Sequence, residues 1–133
     1  MTGNQIKSAA RTLVVDDMPS MRQLVKACLT QLGLPEPLEA TNGKSAWPLL
    51  QGRRFDLIVC DLDMPVMDGM ELLQAVRADP RLNPTQFLML TANAKANIVK
   101  EAIAAGVDDY VVKPFTPLAM QAKVARLLPD KPR

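Results

Sequence analysis

Four short apolar runs in this chain each end on a polar residue suited to handling a phosphoryl group. Leu13-Val14-Val15 leads into Asp16-Asp17, Leu57-Ile58-Val59-Cys60 into Asp61, Phe87-Leu88-Met89-Leu90 into Thr91, and Tyr110-Val111-Val112 into Lys113. Near-continuous hydrophobicity marks parallel strands buried on both faces, and strands of an open parallel sheet share one carboxyl edge, where such sheets bind ligands. Three carboxylates, one hydroxyl and one ammonium would then converge on that edge.

Carboxylates gathered this closely repel. At ~5 Å and an effective dielectric of ~20, each ionised pair costs roughly 3 kcal/mol. Either one acid stays protonated or a hard divalent cation binds, and Mg²⁺ suits oxygen ligands while keeping room for waters and a phosphoryl oxygen. The cation reading also gives Lys113 and Thr91 a purpose, because an ammonium and a hydroxyl can hold the phosphoryl oxygens that a metal does not reach. Asp61, ending what would be the central strand, is then the nucleophile, a carboxylate able to form an acyl phosphate. Taken singly, each signal has a plainer explanation. Asp-Asp after an apolar run is more simply a strand end with a helix cap, and Asp17 before Met18-Pro19 fits that description. The specificity lies in all four occurring in order, each at the end of its own strand.

Segments of helical periodicity separate the strands. The clearest is Met21, Leu24, Val25, Cys28, Leu29 and Leu32, with Pro19 in its first turn and Gly33 at its end. A short strand is expected near residues 37–40, then a helix capped by Asn42, which Pro48 should kink or shorten. Asp68 caps a third helix ending near Asp79-Pro80, a fourth covers about 95–105 before Gly106, and a fifth about 117–128. The βα unit thus recurs five times. Right-handed crossovers put helices on both faces of a doubly wound five-stranded parallel sheet, an α/β fold of the flavodoxin-like kind with strand order 2-1-3-4-5.

The chain has 133 residues, 48% of them hydrophobic, which suits one domain over residues 1–133 with a core at about 12–128 and an N-terminal extension at 1–11. After the last helix too little remains for an appended effector module. Lysines and arginines are scattered among the acids at a net charge of +2, which argues against a nucleic-acid footprint. Residues 1–10 lack the apolar core of a signal peptide and no run is long enough to span a membrane, so a cytoplasmic protein without membrane contact is expected. Cys28 and Cys60 read as small core residues. The sequence contains no histidine, so a phosphohistidine donor must come from another molecule.

Beyond these general features, the chain resembles the receiver domains of the response-regulator family, and the chemotaxis regulators within it. The resemblance runs from Thr12 to Leu128 and rests on Leu13-Val14-Val15-Asp16-Asp17, Met21-Arg22, Asp61 with Met64-Pro65-Val66-Met67-Asp68-Gly69-Met70-Glu71-Leu72-Leu73, Leu90-Thr91-Ala92, Ala105-Gly106 and Tyr110-Val111-Val112-Lys113-Pro114-Phe115. It implies that Asp61 takes phosphate from a histidine kinase. Asp17, Asp61 and the backbone carbonyl of Asp63 would ligate Mg²⁺, with Asp16 helping through water. Lys113, preceding a cis peptide to Pro114, would contact the phosphoryl group, and Thr91 and Tyr110 would be the switch pair. Asp63 and Asn93 occupy positions that tune the phosphate's lifetime. Leu62 stands where the chemotaxis relatives have a tryptophan, the one Trp here being Trp47.

The same resemblance implies a monomeric signalling protein that catalyses only its own phosphorylation and dephosphorylation. Its output face would be Lys95, Tyr110 and Lys123, its target a protein such as the flagellar motor switch, and a phosphatase a further partner. A phosphorelay shuttle between histidines would use the same site. A haloacid-dehalogenase-like phosphatase is more remote, because Asp61-Leu62-Asp63 follows the third apolar strand and not the first. A flavin-binding module lacks the Ser/Thr/Gly-rich phosphate loop it would need after the first strand.

Overall fold

A computed structural model describes residues 6–93 and 95–129. Its elements alternate strictly: β1 Thr12–Val15, α1 Pro19–Gln31, β2 Leu38–Ala40, α2 Gly43–Gly52, β3 Leu57–Asp61, α3 Gly69–Ala78, β4 Gln86–Thr91, α4 Ala96–Ala104, β5 Asp109–Val112 and α5 Pro117–Leu127. All strand pairs are parallel and the order is β2-β1-β3-β4-β5. The strands divide their side chains by period two, as a pleat requires. Leu13, Val15, Ile58, Cys60, Phe87 and Met89 pack with α2, α3 and α4, whereas Val14, Leu57, Val59, Leu88 and Leu90 pack with α1 and α5. Both faces are therefore covered, and the continuous apolar runs are explained. Cys28 and Cys60 are buried, unpaired thiols within these cores.

Helix boundaries follow local chemistry. Asn42 with Ser45 and Asp68 with Glu71 form reciprocal capping boxes, Thr116 accepts from the Ala119 amide, and Pro19 and Pro117 open their helices where no amide partner is needed. Gly33 and Gly106, at φ +95° and +96°, reverse the chain after α1 and α4. Pro48 does not end α2, which continues to Gly52.

Residues 6–11, expected as an extension outside the core, are instead tied to it. Ile6 bridges Pro129, the Lys7 amide donates to the Leu128 carbonyl, Lys7 Nζ lies 2.7 Å from Asp56, and Ala10 is fully buried. The other half of the extension, residues 1–5, lies outside the described residues. Among those described, no helix is long and apolar enough to cross a membrane.

One side chain ties the end of α3 to two loops. Arg77 donates from Nε to the Gly106 carbonyl, from Nη1 to the carbonyls of Asn83 and Thr85, and from Nη2 to Asp108, which also accepts from the Phe87 amide. Only a guanidinium can serve these directions together. Arg77→Lys should lower stability by about 2 kcal/mol in urea unfolding, the worth of a lost charged hydrogen bond. An unchanged midpoint would show that the clamp contributes nothing.

Candidate functional site

The sheet's carboxyl edge gathers the residues that the apolar runs pointed to. Asp16 directly follows β1 and is fully buried, Asp61 ends β3 and is 5% exposed, and Asp17 is exposed beside them. One carboxylate oxygen from each lies within 4.8 Å of the others. Lys113 Nζ reaches in from beyond β5, 3.0 Å from Asp61 Oδ1 and 3.4 Å from Asp16 Oδ2. A backbone bond from the Lys113 amide to the Thr91 carbonyl continues the β4–β5 ladder past its last strand residue and fixes that approach. The Lys113–Pro114 peptide is cis.

The chain around the cluster is arranged to leave acidic oxygens available. Asp17 is not a helix cap: Met18 is the N-cap of α1, without a side-chain bond, and Asp16 Oδ1 accepts the Met18 amide. Arg22 holds this turn from the other side by donating to the Asp16 carbonyl and to Glu39. At the second acid, α3 starts so close to β3 that a Cβ on Gly69 would lie 2.4 Å from the Asp61 carbonyl oxygen, so only glycine fits. Between them the loop passes through Val66 at φ +72°, inside a three-residue turn closed by a bond from the Met67 amide to the Pro65 carbonyl. A β-branched residue is disfavoured there. Met67 is fixed in turn by the Gly43 amide at the start of α2, while the Val66 side chain is 73% exposed.

Electrostatics match this crowding. Burial pushes the Asp61 carboxyl above its ordinary value and the neighbouring Asp16 pushes the same way, against the opposing pull of Lys113 and the Asp63 backbone. Burial alone would lower Lys113, but the bonds and charges of Asp61 and Asp16 outweigh it and hold the ammonium above its usual range. Asp16 and Asp61 thus share one ammonium, Asp17 lies beside them without it, and the donor set of clustered carboxylate oxygens fits a hard divalent ion.

Thr91 and Tyr110 lie further along the edge. The Thr91 hydroxyl, 3% exposed, donates to the Asn93 carbonyl at 2.8 Å and accepts the Asn93 amide at 2.9 Å, a local turn rather than a contact with Asp61. Asn93 Oδ1 in turn accepts the Lys95 amide. Half-buried Tyr110 and Thr91 both line a crevice of about 10 Å³ with Leu62, Met89, Ile98 and Ala102. Lys123 Nζ sits 5.5 Å from the Tyr110 ring centre and 2.9 Å from Asp109 Oδ1. Lys95 is exposed at the N-cap of α4, and Asp63 is exposed after β3. The structure therefore joins Asp16, Asp17, Asp61 and Lys113 in one cluster, and Tyr110 and Lys123 in a second; no contact joins Lys95 to that second pair among the described residues. Sequence reasoning had given no role to Gly69, Arg22 or Val66. A glycine after a capping aspartate was the one available sign, and nothing in Pro-Val-Met marks a left-handed residue.

Residues 12–125 match the family model described as the response regulator receiver domain. The chain is 44% identical over 117 residues to the chemotaxis protein CheY of Pseudomonas aeruginosa, covering 88% of this chain and 94% of that protein. Its backbone superposes on the chemotaxis response regulator CheY4 of Vibrio cholerae with a TM-score of 0.84 at 38% identity, over 90% of this chain and 99% of that one. A receiver domain of a sensor histidine kinase from Pseudomonas aeruginosa, described with a magnesium ion in its active-site cleft, aligns at TM-score 0.80 and 28% identity over 90% and 97% of the two chains. The chain belongs to the response-regulator receiver family and is CheY-like within it, a signalling protein and not an enzyme of the phosphatase kind.

The raised Asp61 makes a prediction with a definite sign. An unfolded chain gives up this proton first, near the ordinary value of 3.8, so the penalty for ionising Asp61 is absent below that pH and grows as pH rises through the higher folded value. Without divalent cations, Asp61→Asn should therefore be more stable than the parent at pH 7, with the gain shrinking toward pH ~4. Urea midpoints at several pH values read this, and a pH-independent difference would contradict it.

Proposed function

We propose that the protein is a phosphorylation-driven switch in chemotaxis signalling. Asp61 accepts phosphate from a phosphohistidine of a histidine kinase, and the phosphorylated form changes its affinity for a protein target. The observation that carries this reading is the position of Lys113, 3.0 Å from a carboxylate that two further aspartates crowd to within 4.8 Å. In the transfer, an Asp61 oxygen attacks phosphorus, the bond from phosphorus to the donor imidazole breaks, and an acyl phosphate forms. Lys113 is placed to neutralise a phosphoryl oxygen as Asp61 loses its own charge to the new bond. Asp17, Asp61 and the Asp63 carbonyl would hold Mg²⁺, with Asp16 through water, and the ion would neutralise phosphoryl charge there. The magnesium described in the aligned sensor-kinase receiver supports that choice of ion.

The output follows from Thr91. Its hydroxyl can either stay in the Asn93 turn or donate to a phosphoryl oxygen on Asp61, and the two are exclusive. Movement toward the phosphate enlarges the crevice beside Tyr110. At about 10 Å³ that crevice holds no more than a water, so an inward ring must also displace Ile98, Val99 or Ala102 of α4. The same motion takes the ring from under Lys123. Phosphorylation is thereby converted into a changed face around Lys95, Tyr110 and Lys123. Asp63 and Asn93 flank the path of an attacking water and set the phosphate's lifetime, alone or with a phosphatase. The relatives' chemotaxis names favour a flagellar motor-switch target, and the protein would act in the cytoplasm as a monomer.

With Mg²⁺ and acetyl phosphate, the wild type should be labelled on Asp61 alone and Asp61→Asn should take no label there. Phosphorylated wild type should bind a peptide from the motor-switch target about 1 to 3 kcal/mol more tightly than the unphosphorylated form. Thr91→Ala should be labelled normally while losing most of that difference. Equal affinities of the two wild-type forms would overturn the switch reading and point to a phosphorelay; stoichiometric label on another residue of folded Asp61→Asn would overturn the site.

A further inference from the structure

Arg22 folds back into the turn that carries the first two aspartates, where helix chemistry alone gives it no purpose. It is the fourth residue of α1, near the helix's amino end, and the dipole there favours anions over cations. The first turn holds no acid to pair with it. Its side chain is nevertheless only 14% exposed. Taking a guanidinium out of water costs free energy that an ion pair does little more than offset. The purpose of an arginine here lies in what its donors hold.

Nη1 donates to the Asp16 carbonyl at 2.7 Å, and Nε donates to Glu39 Oε1 at 2.8 Å. Glu39 belongs to the edge strand β2, whose Ala40 carbonyl accepts the Asp16 amide at 3.1 Å. The Asp16 backbone is therefore tied to β2 on both sides, directly through its amide and by way of Arg22 through its carbonyl. That carbonyl is part of the rigid peptide plane joining Asp16 to Asp17. The next plane, from Asp17 to Met18, is held by its own amide, which donates to Asp16 Oδ1 at 2.9 Å. Both planes flanking the Asp17 Cα are thus fixed. The Asp17 carboxylate is exposed and forms no hydrogen bond or ion pair among the described residues, so its direction is set by that backbone. Lys26 grips Glu39 from the other side, at 2.7 Å, and Glu36 at 2.9 Å, but is not bonded to Asp16.

We propose that Arg22 is a positioning residue for the divalent ion: by holding the peptide plane between Asp16 and Asp17, it aims the Asp17 carboxylate at the point where the oxygens of Asp16, Asp17 and Asp61 gather. This rests on the reading of that cluster as a Mg²⁺ site. Position and charge act here with opposite signs. Removing a cation beside three acids should tighten divalent binding by charge alone, whereas releasing the peptide plane should weaken it. Mg²⁺ demands near-ideal octahedral geometry and Ca²⁺ accepts a looser one, so a lost aim should cost Mg²⁺ more.

The test titrates the full-length protein with Mg²⁺ and separately with Ca²⁺ by calorimetry, without a phosphodonor. Arg22→Gln should bind Mg²⁺ about tenfold more weakly than the wild type, the lower end of what losing an outer partner costs a metal site. Its loss for Ca²⁺ should be smaller. Arg22→Lys keeps the charge without the planar fork and should also weaken Mg²⁺, which supplies the result if circular dichroism shows Arg22→Gln unfolded. Lys26→Gln removes a cation from the same network without touching Asp16, and its Mg²⁺ affinity should be undiminished. Undiminished Mg²⁺ binding by both Arg22 variants would overturn the proposal, as would an equal loss in Lys26→Gln or a Ca²⁺ loss as large as the Mg²⁺ loss. Asp17→Asn separates the two levels. If it binds Mg²⁺ as tightly as the wild type, the metal reading falls and this proposal with it; if it loses binding while both Arg22 variants keep theirs, this proposal alone fails.

Discussion

Three carboxylates converging on one sheet edge with a single ammonium between them is the constraint on which the rest of this structure depends. Such an arrangement is unfavourable by itself: burial first, and the neighbouring Asp16 after it, hold the Asp61 carboxyl above its ordinary value. It persists because the surrounding fold is over-determined. β3 is buried along its whole length between two cores, so Asp61 cannot retreat without withdrawing Ile58 and Cys60 from one and Leu57 and Val59 from the other. Lys113 is brought in by the ladder that ends at Thr91, and Gly69 lets α3 close over the Asp61 backbone. Lys113 alone offsets only part of the repulsion, and the remaining deficit is what the proposed Mg²⁺ and phosphoryl chemistry would draw on.

The same economy shapes the path outward. Thr91 sits at the end of β4, with its hydroxyl committed to a two-residue turn that any ligand on Asp61 would compete with. Tyr110 faces the same crevice from β5, and Asp109 beside it collects Lys123 and Arg126 from α5. Under the proposed switch, coupling between the acid cluster and the α4–β5–α5 surface would run through Thr91 and Tyr110, each exchanging this arrangement for a second one. At the C-terminal end of α3, Arg77 ties the loops before β4 and β5 together.

The sequence made much of this legible because its strongest signals are local. Apolar runs ending in Asp, Thr and Lys identified strands and site together, and Asn42, Asp68, Gly33 and Gly106 marked helix ends by chemistry that acts within a few residues. What was not legible depends on distant partners. Residues 6–11 pack because Lys7 meets Asp56 and Leu128, and Arg77 matters because of carbonyls at 83, 85 and 106. Pro48 is expected to kink or shorten α2, yet the capping box at its start and the burial of Ala46 and Leu50 carry the helix to Gly52. Val66 breaks a local rule outright, a valine held left-handed in the loop after Asp61 by the backbone bonds from Met67 to Pro65 and from Gly43 to Met67.

Mg²⁺ tests most directly whether the aspartate cluster is held short of positive charge. Unfolding of the wild type followed with and without the ion should show a stability gain that grows with concentration, about 2.7 kcal/mol at one hundred times the dissociation constant. Asp17→Asn should lose most of that gain and, relieved of one carboxylate, should unfold at or above the wild-type midpoint in the ion's absence. A wild-type midpoint indifferent to millimolar Mg²⁺ would contradict the account.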